Sequence, residues 1–409
     1  MARDDTVGPA TGGSLRERMD EAHIQPGGWL LASDVEGPLF LGDFIAEALS
    51  ACLKPSGGVV EAVPSYGQIL YGEGYAAFSA DTDALRRPEG ARCGRTSPEG
   101  GYTLAQEGTD TIFALPLLLA AGADYSYLER LALRSPETPG AAEMARRLDE
   151  MGWQRVGITT APQQPYRLVA ERCGWLAAGR LLGSPFPLME AEALLRRLGR
   201  WDVEIDGVRA YLRDAYALID RHSEVWLDGS TWRRHFSEAG RKLLRQRFRR
   251  FYREELGISY SHGERAGRSA STALGRVIEA CGMVGDRAKA ALALGLARRG
   301  GGLDRLVTMG DGANDALMLR RACWSIGVNG PAAARAAAIG LVTDDMRHVL
   351  VLLQLIEQGG NDVEDVIGRA QAELRGAALV HRGGDGVSAK IAEKHQLMKR
   401  RLRGEFVTY

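Results

Sequence analysis

The chain's 409 residues are enough for roughly two or three domains, and its 45% hydrophobic and 25% charged residues are ordinary for a globular protein. Its 52 basic and 52 acidic residues leave no formal net charge, which gives no reason to expect nucleic acid or an anionic membrane as a partner. The five scattered cysteines support neither a zinc site nor a disulfide framework, and no apolar run is long enough for a membrane helix. We therefore expect a cytoplasmic protein with reduced thiols.

The first two strands of a sheet are predicted well apart in the chain. Residues 1–27 are polar and rich in Gly, Asp and Arg, so we expect a disordered tail. Trp29–Ser33 is a short apolar run that predicts a strand buried on both faces, and Asp43–Leu53 has the apolar spacing of a helix. Ala141–Met151 predicts an amphipathic helix that leads into a second strand at Arg155–Thr160.

The same pattern of strands and helices returns much later in the chain. Lys289–Arg299 is rich in Ala and Leu and predicts a helix, which is followed by a strand at Leu306–Met309. Ala316–Ala322 predicts the next helix, and Trp324–Val328 and Gly340–Val342 predict two more short strands. Strands that alternate with helices predict an α/β fold with a doubly wound parallel sheet.

Two long stretches interrupt this sheet pattern and are predicted to be insertions. The predicted tail is 1–27, and the predicted core has three pieces, 28–53, 149–164 and 284–350. The first insertion is 54–148 and the second is 165–283. The predicted helical C-terminal extension is 351–409.

Acidic residues follow two of the predicted strands. Asp34 and Glu36 come directly after the first strand, and Asp311 and Asp315 follow the strand at Leu306–Met309. Open α/β sheets bind their ligands at the carboxyl ends of the strands, where these side chains would meet. Carboxylates gathered in one place repel each other, and a divalent cation is the usual reason for bringing them together. The sequence therefore predicts a metal site, and oxygen ligands of this kind suit Mg²⁺.

Small and neutral residues accompany the acids. Gly37 allows a sharp turn after the first pair of acids, and Pro38 makes that turn stiff. Gly310 and Gly312 let the backbone bend close to a ligand, and Asn314 offers a neutral oxygen or orients a neighbouring group.

The two acidic segments resemble motifs one and four of the haloacid dehalogenase (HAD) superfamily, which usually read DxDGT and GDGxND. Here the segments read Asp34-Val-Glu-Gly-Pro38 and Gly310-Asp-Gly-Ala-Asn-Asp315, so Glu36 replaces an Asp and Pro38 replaces a Thr. The resemblance implies a HAD-like Rossmannoid core with two large cap insertions. The first segment is also similar to a largely archaeal HAD group described as energy-converting hydrogenase A subunit R.

The resemblance implies a Mg²⁺-dependent phosphohydrolase that acts on a small organic phosphomonoester through an aspartyl-phosphate. Asp34 would be the nucleophile, and Glu36 the general acid and base. The metal ligands would be Asp34, the backbone carbonyl of Glu36, Asp311 and, directly or through water, Asp315. Gly37, Gly312 and Asn314, which belong to the two motifs, would lie against the substrate.

Motifs two and three of the family require a Ser or Thr at the end of the second strand and a Lys near the phosphoryl group. Thr159 and Thr160 both stand at the strand end, and the spacing from Gly152 favours Thr159. Lys289 precedes Asp311 at a spacing similar to that of phosphoserine phosphatase-like members, with Arg287 and Lys242 as alternatives.

Two other functions remain open from the sequence. A phosphotransferase or phosphomutase would use the same core but exclude water from the phosphoryl group. A catalytically weak HAD-like subunit of a larger complex would keep the fold as an assembly element. The expected partner is a small phosphorylated metabolite, without nucleic acid or membrane, and a homodimer or a protein partner stays open.

Overall fold

The computed structural model describes residues 14–54, 61–83, 108–258, 270–360 and 362–404. It divides into two compact units. The sheet unit consists of the described residues of Gly13–Asp43, Ala132–Ser184 and Val284–Tyr409, and the helical unit of those of Phe44–Leu131 and Pro185–Met283.

The described residues form strands in both units. In chain order the strands are β1 Leu30–Ser33, β2 Gln154–Pro162, β3 Leu181–Ser184, β4 Ser223–Asp228, β5 Thr231–Phe236, β6 Leu306–Gly310, β7 Trp324–Val328, β8 Ile339–Val342 and β9 Leu379–Arg382.

Helices make up most of the remaining structure. They are α1 Leu15–Glu21, α2 Phe44–Cys52, α3 Tyr66–Asp83, α4 Thr109–Ile112, α5 Ala114–Ala120, α6 Tyr125–Ala132, α7 Ala141–Glu150, α8 Gln163–Arg172, α9 Leu188–Arg197, α10 Trp201–Arg221, α11 Glu238–Arg250, α12 Ala273–Ala280, α13 Asp286–Gly300, α14 Ala316–Arg321, α15 Pro331–Ala336, α16 Arg347–Glu357, α17 Val363–Leu374 and α18 Ala389–Arg403. Shorter helical turns are Ala178–Arg180, Phe251–Glu255, Leu303–Arg305, Ala313–Asp315 and Gly384–Gly386.

The sheet unit is built on seven strands in the order β3-β2-β1-β6-β7-β8-β9. All neighbouring pairs are parallel except β8 and β9, which are antiparallel. The register places Ser33 of β1 beside Met309 of β6, so these two strands end at the same level. This arrangement confirms the prediction of an α/β fold with a mostly parallel sheet.

The central strands are buried because the whole length of each is apolar or small. Every residue of β1 and of β6 is buried. The Ala- and Leu-rich helix α13 packs against them, with Leu292 and Leu296 in the same hydrophobic cluster as Leu30 and Leu306. Alanines on this helix let its backbone approach the sheet closely, which sets the position of the polar residues that α13 also carries.

The segment predicted to be a disordered tail contains helix α1, so that prediction is wrong for residues 14–27. Ser14 and Glu17 form a reciprocal capping box, with Ser14 N–H donating to Glu17 Oε2 over 2.6 Å. Arg18 is buried and donates to the carbonyl of Gly183 over 3.0 Å, which ties α1 to the edge strand β3. Residues 1–13 lie outside the described residues.

The predicted helical C-terminal extension also contains a strand. β9 pairs with β8 and so extends the sheet, after which α18 packs against α15. β9 is only four residues long and includes the exposed Arg382, which is why its apolar pattern is too weak to be recognised in the sequence.

The helical unit combines residues from both predicted insertions. α3 packs against α2 and α11, and α5 packs against α10, so the two stretches share one core. Its boundaries differ from the predicted 54–148 and 165–283, because α7 packs on α16 and β3 pairs with β2 in the sheet unit. Parts of the first insertion, residues 55–60 and 84–107, lie outside the described residues.

No single helix in the described parts of the chain has both the length and the apolar character needed to cross a membrane. The bent pair Asp110–Ala120 and Tyr125–Ala132 meets the criterion only when both helices are taken together.

Two histidines join α18 to the sheet. The Nε2 atoms of His381 on β9 and His395 on α18 lie 2.7 Å apart. The Nδ1 of His381 is 2.7 Å from the carbonyl of Arg382 and must donate to it, so the neutral pair has His395 Nε2–H donating to His381. Burial, followed by the neighbouring His381 and Arg335, lowers the pKa of His395 to about 3, and burial also lowers the pKa of His381.

This pair predicts a loss of stability in acid. Unfolded histidines take up protons below their ordinary pKa of about 6.5, whereas the folded pair resists protonation until the pH approaches the lowered pKa values. The contribution of the histidine pair to the free energy of unfolding is therefore present above about pH 6.5 and declines as the pH falls. His395→Gln keeps an N–H donor but cannot titrate, so the drop in free energy of unfolding from about pH 7.5 to about pH 5 should be about 1–2 kcal/mol smaller in this variant.

Chemical denaturation at the two pH values measures this difference. His235→Gln is the matched control, because His235 is exposed on β5. An equal drop in His395→Gln and in the unmodified protein would contradict the prediction.

Candidate functional site

Three aspartates meet at the carboxyl ends of β1 and β6. Asp34 follows β1, and its N–H donates to the Met309 carbonyl over 2.8 Å, so the parallel pairing continues to the strand ends. Asp311 follows β6, and Asp315 lies on the helical turn after it. One oxygen from each of the three carboxylates lies within 4.8 Å of the others, and all three residues are buried. The sequence prediction that the acids after these two strands converge is confirmed for these three aspartates.

Lys289 lies between two of the aspartates. It extends from α13, is fully buried, and places Nζ 2.9 Å from Asp34 Oδ1 and 2.7 Å from Asp315 Oδ1. Burial alone would lower the pKa of Lys289, but the charges of Asp315 and Asp34 outweigh burial and raise it. The lysine is therefore a permanent positive charge in this site.

Opposing effects act on the pKa of the Asp34 carboxylate. Burial, and then the charge of Asp315, raise the pKa of Asp34 well above its ordinary value, and Lys289 only partly offsets them. The hydrogen bonds to this carboxylate from Val35 N–H and from Lys289, 2.8 and 2.9 Å long, both fall on Oδ1. A further cation beside Asp34 would stabilise its ionised form.

Asp315 holds the loop after β6 in place. Its Oδ2 accepts the N–H groups of Asp311 and Gly312, at 3.1 and 2.9 Å, while its Oδ1 accepts from Lys289. A Cβ on Gly310 would lie 2.5 Å from the Asp315 carboxyl carbon, so only glycine leaves room for this arrangement.

The predicted substrate-side residues Gly37, Gly312 and Asn314 also lie in these turns. Gly37 has a φ of +97°, and a Cβ there would lie 2.5 Å from the carboxyl carbon of Asp311. Gly312 packs against the side chain of Asn314, whose Nδ2 donates to Thr160 Oγ1 over 3.3 Å.

The two candidate threonines have different hydrogen bonds. Thr160 Oγ1 donates to the Val284 carbonyl over 2.8 Å, which uses its only hydrogen. Thr159 is buried and its Oγ1 accepts from the Ala161 N–H over 3.1 Å. Among the described residues, neither hydroxyl is hydrogen-bonded to the three aspartates.

Glu36 is held by an aromatic residue that sequence reasoning missed. Its Oε1 accepts a 2.8 Å hydrogen bond from the hydroxyl of Tyr166 on α8. The Tyr166 ring packs on Phe40, with ring centroids 4.3 Å apart, and so has a fixed position. No spacing in the sequence connects a tyrosine on α8 with the turn after β1.

Two further missed residues reach the site from α18. Arg403 Nη1 lies 2.8 Å and Lys399 Nζ lies 3.2 Å from Asp311 Oδ2. Burial would raise the pKa of Asp311, but the charges of Lys399 and Arg403 outweigh burial and lower it. The sequence signal for this pair is its spacing, because residues four apart share one face of a helix.

The donor atoms of this site fit a hard divalent cation. Asp34, Asp311 and Asp315 offer carboxylate oxygens within a single ion's reach, and oxygen is the ligand atom that Mg²⁺ and Ca²⁺ prefer. Both oxygens of Asp315 already accept hydrogen bonds, whereas Oδ2 of Asp34 accepts none in the described contacts.

Comparison with known proteins gives information about the fold and none about the chemistry. No family model matches the chain, and no curated protein matches it. The chain is similar to the solved structure of gene product AF1437 from Archaeoglobus fulgidus, with a TM-score of 0.57 and 20% identity. The match covers 92% of this chain and 97% of that one. At this identity the similarity shows a shared fold alone.

The tight contact at Gly37 yields a test with a matched control. Gly27 has nearly the same φ, +96° against +97°, but a Cβ there would meet nothing within 4 Å. Both alanine substitutions strain the backbone, and only Gly37→Ala pushes on Asp311. We expect Gly37→Ala to lower the free energy of unfolding by about 1–3 kcal/mol more than Gly27→Ala does, as measured by denaturant titration. Equal losses would show that the Asp311 carboxylate has room to move.

Proposed function

We propose that this protein is a HAD-like, Mg²⁺-dependent phosphohydrolase that cleaves a small organic phosphomonoester through an aspartyl-phosphate. The observation that carries the proposal is the buried cluster of Asp34, Asp311 and Asp315 around Lys289, at the ends of adjacent parallel strands. Mg²⁺ would be held by Asp34, the Glu36 carbonyl and Asp311, with Asp315 behind them, and would supply positive charge to the phosphoryl oxygens.

Asp34 supplies the nucleophile in this proposal. Its Oδ1 is engaged by Val35 and Lys289, which orients Oδ2 as the attacking oxygen. A bond forms between Oδ2 and phosphorus while the bond from phosphorus to the ester oxygen breaks. Lys289 offsets the negative charge that gathers on the nucleophile and the phosphoryl group.

Glu36 moves the proton in both halves of the reaction. Protonated Glu36 first gives its proton to the leaving ester oxygen, and the alcohol departs. The resulting carboxylate then takes a proton from water, whose oxygen attacks phosphorus and releases inorganic phosphate and free Asp34. The hydrogen bond from Tyr166 holds Glu36 in position for these transfers.

Thr159 is the better candidate to donate a hydrogen bond to the phosphoryl group. The hydroxyl hydrogen of Thr160 is used by the Val284 carbonyl, whereas the described hydrogen bond of Thr159 uses only its oxygen as an acceptor. Asn314, which donates to Thr160, would then support the neighbouring strand end instead of the phosphoryl group.

A screen of phosphomonoesters tests the proposal and the role of Asp34. We expect hydrolysis of a small phosphorylated metabolite in Mg²⁺ and none in EDTA. Asp34→Asn should lower kcat at least about a thousandfold without unfolding the protein, because the attacking oxygen is lost. Asp304→Asn, an exposed change ahead of β6, is the matched control and should keep full activity. Turnover by Asp34→Asn at the unmodified rate would exclude the nucleophile.

The role of Glu36 is tested by a graded pair of variants. Glu36→Gln removes the transferable proton and should lower kcat by about 10²–10⁴-fold. Tyr166→Phe removes only the supporting hydrogen bond and should lower kcat by about tenfold. Steady-state kinetics measures both effects, and an unchanged kcat in Glu36→Gln would remove its acid and base role.

A further inference from the structure

Helix α18 brings two cations to an aspartate of the site from a part of the chain that no motif covers. Its residues His395, Lys399 and Arg403 are spaced four apart and share one face. The hydrogen bond from His395 to His381 anchors this face to β9. Lys399 and Arg403 then reach Asp311, with only 4% and 9% of their side chains exposed.

Arg403 also has a buried donor without an acceptor. Its Nη1 donates to Asp311 and its Nη2 to the Gly42 carbonyl, yet its buried Nε has no hydrogen-bond partner among the described residues. A buried N–H without an acceptor is uncommon in proteins, and an added polar group beside it would satisfy it. Beside a guanidinium, the matching group is an anion, and a phosphate offers several acceptor oxygens.

With Asp34 ionised, the form that a further cation would stabilise, the charges joined by these contacts are balanced. Three carboxylates, Asp34, Asp311 and Asp315, face three cations, Lys289, Lys399 and Arg403. Glu36 and Asp43 also act on Arg403, although they are outside these ion pairs. A divalent cation alone would leave two excess positive charges in a buried place, and a dianion alone would leave two negative ones. Both together restore the balance.

We propose that Lys399 and Arg403 make the binding of Mg²⁺ and of a phosphate dianion depend on each other. They occupy the Asp311 carboxylate while the site is empty and turn toward the anion when metal and anion arrive together. This role rests on the proposed function and identifies the dianionic phosphoryl group, not the rest of the substrate, as the part that α18 recognises. It makes Arg403 and Lys399 binding residues that the sequence motifs do not include.

Isothermal titration calorimetry with MgCl₂ and inorganic phosphate as the probes tests this coupling without turnover. In the unmodified protein we expect saturating phosphate to tighten Mg²⁺ binding at least about tenfold, and Mg²⁺ to tighten phosphate binding by the same factor. In Arg403→Gln, Mg²⁺ alone should bind about tenfold tighter, because one repelling charge is gone. Phosphate in the presence of Mg²⁺ should bind at least about tenfold more weakly, because its cationic partner is lost.

Two variants serve as controls and one as a second test. Arg401→Gln, on the same helix, with 68% of the Arg401 side chain exposed and paired to Asp344, should leave every affinity unchanged. Arg403→Lys keeps the charge and should retain most of the coupling. Lys399→Gln should change the affinities in the same directions as Arg403→Gln, and it stands in if Arg403→Gln fails to fold.

The outcomes separate this inference from the proposed function. Coupling that is unchanged in both Arg403→Gln and Lys399→Gln overturns the role of α18, while Mg²⁺-dependent hydrolysis by the same samples keeps the phosphatase. Tighter binding of both Mg²⁺ and phosphate in the variants also overturns it, since α18 would then only block the site. No Mg²⁺ binding by any protein, with or without phosphate, overturns both.

Discussion

The repulsion among three buried carboxylates is the constraint around which the sheet unit is arranged. Asp34, Asp311 and Asp315 lie close enough to share one ion, in surroundings where water does not screen them. Such a cluster is stable only if cations and N–H groups compensate it. Lys289 does so from α13 for two of the acids, and α18 does so for the third. The fold brings these compensating groups from elements that are distant in sequence.

The part of the site that could be predicted is the part encoded in short segments. Each of the strands β1 and β6 is an apolar run with an acid directly after it. The alternation of strands with helices and the residue types of these runs are therefore sufficient to place Asp34 and Asp311 at one sheet edge. Lys289 is predicted from its spacing ahead of Asp311, and in the structure its helix packs directly on those strands. The sequence also contains a signal for helix α1, since Ser14 and Glu17 have the spacing of a capping box.

The rest of the site could not be predicted because it depends on contacts between distant elements. The spacing of Lys399 and Arg403 shows that they share a helix face, but not which surface that face meets. Tyr166 reaches Glu36 only because α8 follows β2 back along the sheet. Strand β9 is hard to predict for the same reason, because it depends on its pairing with β8. This pairing in turn determines where α18 begins. For these residues the information lies in the topology and not in any local pattern.

The sheet unit is assembled from three separated stretches of chain, and this has a consequence for folding. Gly42 and Arg403, which touch in the finished protein, are 361 residues apart. Closing so large a loop costs conformational entropy before any contact repays it, and folds rich in such contacts form slowly. On a ribosome, the acids after β1 and β6 emerge well before their partners on α18. Until α18 is available, Asp311 lacks the cations Lys399 and Arg403, so its burial in the native arrangement is less favourable before this helix docks.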